Sequence, residues 1–312
     1  MENHKIFATS NSLELGTEIA HQLGLSLGHL HSQKFSDGEV FVRFDESIRG
    51  RTVFLVAQVN IPYENLFELF MCIDAARRAS AKEIICITPY LPHSRQERKD
   101  AERTSISSRV VADFLQQSGA DRVMTIDLHT SSIEGFFKIP VDHLDTSNLF
   151  TKHILDLQLE NISLCSPDFG GLKRIKKYKK VLNCEMAVIH KERLIPNQIA
   201  SMEIIGEVKG KNVIIIDDMI DTAGTLCKAA ELIMEKGALS VRAYCTHGLL
   251  SGTAIARIED SVLTNVFIAN TIQYKGESTK IKSISCARII AKAIDNLVHN
   301  KSIKEMNEKF EV

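Results

Sequence analysis

Tryptophan is absent from the 312 residues, and proline occurs only six times. So little proline excludes a polyproline or collagen-like rod and leaves long stretches able to form regular elements. No apolar run is long enough to cross a bilayer, and the opening MENHKIFATS lacks the apolar core of a signal peptide. A cytoplasmic protein without membrane contact is therefore expected. The seven cysteines contain no CxxC pair and no metal-type spacing. That argues against a disulfide framework or a zinc site. Cys86, Cys165 and Cys245 sit in apolar runs and read as small buried hydrophobes. An excess of one charge is missing too. Lys plus Arg number 38 against 39 Asp plus Glu, a net charge of -1, which gives no general affinity for nucleic acid.

Hydrophobic residues make up 44% of the chain, enough for sizeable cores, and the length suits about two domains. Short apolar runs at 52–58, 83–89, 122–128, 162–168, 212–218 and 241–247 read as buried strands. Amphipathic patterns at 64–80 and 225–238 read as helices, with Gly237 as a C-terminal cap of the second. The alternation predicts an α/β fold with mainly parallel sheets. It also repeats. Ala112-Asp113-Phe114-Leu115, Gly119-Ala120 and His129 recur at the same spacing as Ala230-Glu231-Leu232-Ile233, Gly237-Ala238 and His247. Two similar domains, residues 1–146 and 147–312, are the simplest account. The first carries an enlarged loop around LPHSRQERKDAERTS.

The sharpest motif is NVIIIDDMIDTAGTLCKAAELIMEKGA. An apolar strand ends in Asp217 and Asp218. A turn, Asp221-Thr222-Ala223-Gly224-Thr225, then opens a helix. Ligands bind beyond the carboxyl ends of parallel strands, and a helix N-terminus offers unpaired N–H groups to a phosphate. Gly224 lets the backbone approach, and a carboxylate can accept from both hydroxyls of a vicinal diol. Together these residues suit a sugar phosphate. In ISLCSPDFGGLKRIKKYKK a strand leads to Asp168, then Gly170-Gly171, whose amides could wrap a diphosphate, then a basic helix. Asp168 suits Mg2+, a hard cation. Lys173 to Lys180 read as a solvated helix face. His129 follows a strand, and Lys191 and Arg193 open a long polar segment with the character of a lid. Arg95 and Gln96 lie in the enlarged loop. Phe35 could stack on a base beside Asp37 and Glu39, while Asp37-Gly38 also suits a hairpin turn.

The stretches FSDGE, SRQERKD, DLHTSSIEGFF, SPDFGG, HKER, DDMIDTAGT and THGLLSG, in this order, resemble the ribose-phosphate diphosphokinases. DDMIDTAGT alone marks the wider phosphoribosyltransferase fold. The resemblance implies two phosphoribosyltransferase-like domains. It implies a reaction in which ATP gives its diphosphoryl group to ribose 5-phosphate, with Mg2+ as cofactor. ATP would be held by Phe35, Asp37, Gly38, Glu39, Arg95, Gln96 and His129, the first stretch from a neighbouring subunit of a homo-oligomer, commonly a hexamer. His129 and Asp168 would stand at the metal, and Asp168, Gly170 and Gly171 at the diphosphate. Lys191 and Arg193 would be the catalytic pair. Ribose 5-phosphate would meet Arg193, Asp217, Asp218, Asp221, Thr222, Ala223, Gly224 and Thr225. Three segments depart from the family pattern: Arg103-Thr104-Ser105-Ile106, Glu134, and Ser302 to Asn307. The last two are tied by resemblance to control by ADP and phosphate. The alternative is a non-catalytic regulatory homologue that associates with true synthetases, against which the intact Lys191, Arg193, His129 and Asp168 argue.

Overall fold

The structure is a computed structural model that describes residues 3–60, 62–192 and 201–308. It divides into two compact units. The first contains β1 (His4–Ala8), α1 (Leu13–Gln22), β2 (Leu30–Lys34), β3 (Val40–Phe44), β4 (Thr52–Val56), α2 (Glu64–Arg78), β5 (Glu83–Ile87), α3 (Ser107–Gln117), β6 (Arg122–Ile126) and β7 (Val141–Leu144). The second contains α4 (Ser147–Asp156), β8 (Ile162–Ser166), α5 (Leu172–Leu182), β9 (Glu185–Glu192), β10 (Ser201–Ile205), β11 (Asn212–Ile220), α6 (Gly224–Glu235), β12 (Ser240–Gly248), α7 (Ala254–Glu259), β13 (Asn265–Ala269) and β14 (Ile281–Ile284). The chain then returns to the first unit as α8 (Ala287–Val298) and α9 (Ile303–Glu308).

In the first unit the parallel strands lie in the order β1-β4-β5-β6-β7. Side chains alternate across this sheet with the period of two that a strand imposes. Val53, Leu55, Ile84, Cys86 and Val123 meet α2 and α3 on one face. Phe54, Val56, Ile85, Ile87 and Met124 meet α1 and α8 on the other. Both faces are covered, so each strand reads as an unbroken apolar run. In the second unit the order is β10-β9-β8-β11-β12-β13-β14, parallel except for β10. Val213, Ile215, Val241 and Ala243 share a core with α6 and α7. Ile214, Ile216, Tyr244 and Phe267 share one with α4 and α5. Gly237 follows α6 at φ +88, the left-handed position that lets a helix end without a Cβ clash.

Three expectations change. Residues 285–308 join the first unit rather than the second, because α8 buries Ile290, Ala291, Ala293 and Ile294 beside Ile19 and Ala20 of α1. Asn307 Nδ2 of α9 also donates to the His143 carbonyl of β7 at 3.0 Å. Next, β11 does not end at its acids. It runs on to Ile220, pairing Asp217 with Cys245 and Met219 with His247 of β12. Finally, the repeat holds in another register. Cys86 faces Val123 while Val213 faces Val241, so the sheets align Cys86 with Val213, two residues from the match of Thr88 with Asp217 that the sequence suggests. A slip of two keeps every side chain on its own face of the sheet.

Candidate active site

Within the second unit, β8 and β11 are neighbouring parallel strands, so the segments that follow them emerge at the same edge of the sheet. After β8, the Ser166 hydroxyl donates to the Asp168 carbonyl at 2.6 Å, and Asp168 Oδ1 accepts the Gly171 N–H at 3.0 Å. This turn opens α5. It leaves Asp168, Phe169 and Gly170 exposed and spends one glycine amide internally. A Cβ on Gly171 would overlap the Ser166 hydroxyl. Gly171→Ala is therefore expected to break the Ser166–Asp168 bond and cost about 1–3 kcal/mol of stability, measured as a lower urea midpoint. Gly170→Ala, whose Cβ would stand 3.2 Å from Asp168 Oδ1, should cost less.

The first turn of α5 supplies a residue that the sequence reading placed on a solvated face. Arg174 turns inward, Nη1 3.3 Å from Asp217 Oδ1 and Nη2 3.3 Å from Asp218 Oδ1. Its side chain is 22% exposed, and those of the two acids are 31% and 7%. Burial, and then the neighbouring Asp218 carboxylate, hold the Asp217 carboxyl well above the usual carboxylate range, and Arg174 opposes the shift. The lysines Lys173, Lys176, Lys177, Lys179 and Lys180 are exposed, as expected. The signal for Arg174 was the spacing. It lies four residues before the buried Tyr178, on the same side of the helix.

After β11 the chain turns through Asp221, Thr222 and Ala223 into α6, with Thr222 and Thr225 exposed. The left-handed residue of this loop is Ala223, at φ +60, rather than Gly224. An alanine held there costs about 1–2 kcal/mol, so the loop is maintained by its surroundings.

Lys191 lies on β9, its backbone opposite Met202 of β10, so the polar segment expected as a lid begins in strand, and its residues 193–200 lie outside the described residues. Arg193 lies outside the described residues. In the first unit, His129 follows β6 and is exposed. Phe35, 49% exposed, stands at the tip of the β2–β3 hairpin. Gly38 takes φ +93 in that turn, and the Glu39 N–H donates to Asp37 Oδ1 at 3.0 Å. Arg95 and Gln96 are exposed in the loop between β5 and α3. That loop is anchored where the Gln96 carbonyl accepts from the Ser108 hydroxyl at 3.1 Å. Two of the departures noted above meet here. Glu134, His143, Ile303, Lys304 and Asn307 line one cavity of about 330 Å3.

Paired acids near the end of a parallel strand, with a tight loop and a helix N-terminus beyond it, define a phosphoribosyltransferase-like α/β protein. Residues 4–119 match the family model described as the N-terminal domain of ribose phosphate pyrophosphokinase, and residues 188–308 match a phosphoribosyl synthetase-associated domain. A ribose-phosphate pyrophosphokinase of Wolinella succinogenes is 44% identical over 98% of this chain and 99% of its own length. That of Porphyromonas gingivalis is 43% identical over 96% of each. The crystal structure of phosphoribosylpyrophosphate synthetase from Mycobacterium smegmatis superposes with a TM-score of 0.88 at 36% identity, covering 96% of this chain and 99% of that one. The chain belongs to the ribose-phosphate pyrophosphokinase family.

Proposed function

We propose that this protein transfers the diphosphoryl group of ATP to the anomeric hydroxyl of ribose 5-phosphate, giving 5-phosphoribosyl 1-diphosphate and AMP. The observation that carries the reading is the acid pair near the end of β11 and the tight loop that follows the strand, set on a chain that matches pyrophosphokinases along almost its whole length. The residues Asp221 to Thr225 receive the 5-phosphate. Asp217 and Asp218 accept from ribose hydroxyls, held in place by Arg174. Gly170 and Gly171 adjoin the diphosphate. Phe35, Asp37, Glu39, Arg95, Gln96 and His129 receive ATP. The protein works as a homo-oligomer, a hexamer by family resemblance.

The anomeric oxygen attacks the β-phosphorus of ATP, and the bond from that phosphorus to the oxygen bridging it to the α-phosphate breaks, releasing AMP. Such transfers ask the protein mainly for alignment and charge neutralisation. Lys191 and Arg193 supply positive charge to the transferring group. Among the described residues no three His, Cys, Asp or Glu side chains converge as a metal cage. Mg2+ does not need one, since it takes few protein ligands and keeps waters and substrate phosphates. The exposed His129 and Asp168, each beyond the end of a strand, suit that mode. When bound, Mg2+ supplies charge neutralisation at the phosphate oxygens.

The test is 31P NMR of the protein with ribose 5-phosphate, Mg2+ and ATP, with and without inorganic phosphate. AMP and a sugar diphosphate are expected. ATP left intact in both samples would reject the reading and favour a regulatory partner.

A further inference from the structure

The segment Leu249–Gly252 and the residue Arg257 have no part in the chemistry above, yet both converge on the back of the loop that follows β11. Four successive carbonyls of that loop are each taken by a donor of the same unit. The Ile220 oxygen accepts the N–H groups of Leu249 at 2.9 Å and Leu250 at 3.2 Å. The Asp221 oxygen accepts the Ser251 N–H at 3.0 Å. The Thr222 oxygen accepts from Arg257 Nη1 at 2.6 Å. The Ala223 oxygen accepts the Cys227 N–H at 2.9 Å within α6.

A trans peptide is planar, with its C=O and N–H pointing in opposite directions. Fixing a carbonyl therefore aims the next residue's N–H the other way. Arg257 holds the peptide between Thr222 and Ala223, and so sets where the Ala223 N–H points. Ala223 is also the residue at φ +60. A flip of this peptide would change ψ of Thr222 and φ of Ala223 together. It would relieve the left-handed strain and turn a carbonyl oxygen toward the side from which the N–H groups face outward. An anion would then meet the negative end of the peptide dipole instead of the positive end. Arg257 is the one side chain in this set. The other donors are backbone amides, which substitution leaves in place.

We infer that Arg257 is a positioning residue for ribose 5-phosphate: from α7 it locks the Thr222–Ala223 peptide in the strained orientation that presents amides to the sugar phosphate. This rests on the assignment of residues 221–225 to the 5-phosphate. Two further contacts agree with a lock on this side of the loop. A Cβ on Gly224 would stand 3.4 Å from Arg257 Nη1, so the guanidinium lies close against the start of α6. The Cys227 thiol donates to the Arg257 carbonyl at 3.6 Å, which ties α7 to the same helix turn.

The test compares Arg257→Met, Ala223→Gly with Arg257→Met, and Thr225→Val with the parent, in the full-length protein. KM for ribose 5-phosphate is measured at saturating ATP, and KM for ATP at saturating ribose 5-phosphate. Arg257→Met is expected to raise KM for ribose 5-phosphate at least tenfold and to leave KM for ATP within twofold. Adding Ala223→Gly should recover at least threefold, because glycine adopts the left-handed conformation without the Cβ penalty. A general loss of structure would not be rescued by a glycine. Should Arg257→Met fail to fold, Arg257→Lys is read in the same way, since lysine keeps the charge and loses the planar fork. A parental KM in the Arg257 variant, or a rise that Ala223→Gly leaves unmoved, overturns the inference. Thr225→Val separates this failure from a failure of the site. If Thr225→Val raises KM for ribose 5-phosphate and the Arg257 variant does not, only the inference falls. If neither changes it, or the parent has no activity, the assignment of the loop falls and the inference with it.

Discussion

Arg174→Met is expected to destabilise the protein by about 3 kcal/mol, and by more as pH rises through the range in which Asp217 titrates. The guanidinium forks onto Asp217 and Asp218, and no more than about a third of any of the three side chains is exposed. Removing one partner of a buried pair leaves the other charge without compensation, which costs about 3–5 kcal/mol. The partial exposure of Asp217 favours the lower figure. Methionine keeps the volume and most of the stem, so packing is largely retained. The pH dependence follows from the raised Asp217 carboxyl. A carboxyl whose folded pKa lies above its unfolded value binds a proton more tightly in the folded state. Its contribution to stability is complete below the unfolded pKa and is lost as pH rises through the folded one. The parent offsets that loss with Arg174, and the variant does not, so the gap between them should widen with pH. Urea midpoints of both proteins across that range measure it. A gap that stays constant would mean that Arg174 acts through its stem alone. Asp218→Asn in the variant should narrow the gap, because it removes the like charge beside Asp217.

The acid pair shows what kind of feature can be read from sequence. Six apolar runs located β4, β5, β6, β8, β11 and β12 to within about two residues, because strands buried on both faces leave continuous apolar text. The acids and the loop after β11 were equally visible, since both are local in the chain. Cross-strand pairing is not local. Nothing in DDMI shows that β12 continues alongside and keeps Asp217 and Asp218 inside a strand. The partner of Thr222 lies 35 residues away on another helix, and no spacing rule connects Arg257 to it. The return of α8 and α9 to the first unit is of the same kind. Which sheet their apolar faces cover depends on where the chain has already gone. Arg174 is the intermediate case. A run rich in lysine hides it, yet the helical phase set by Ile175 and Tyr178 points it inward.

Lys191→Ala is expected to lower the turnover number about 100-fold, with KM for ribose 5-phosphate changed by no more than a few fold. Under the proposed reaction this residue meets developing charge, and its backbone position is compatible with that role. β9 runs parallel to β8 and pairs Val188 with Ser166, so Lys191 lies beyond the last residue of β8, on the side of Asp168. The ring contact between Phe169 and His190, with centroids 5.5 Å apart, joins the two segments at that level. In the proposed reaction a cation there would meet the diphosphoryl group as negative charge moves onto the departing AMP. An interaction that strengthens in the transition state lowers turnover when it is removed, whereas one made equally with bound substrate raises KM. About 3 kcal/mol is the scale for one such preorganised donor, and that corresponds to the 100-fold figure. Lys191→Arg keeps the charge with a different shape and should retain part of the rate. Thermal midpoints separate a chemical loss from a damaged strand, since β9 also anchors β10. A Lys191→Ala protein that turns over at the parental rate would move the charge stabilisation to other residues. A rise in KM alone would make Lys191 a substrate anchor instead of a catalytic residue.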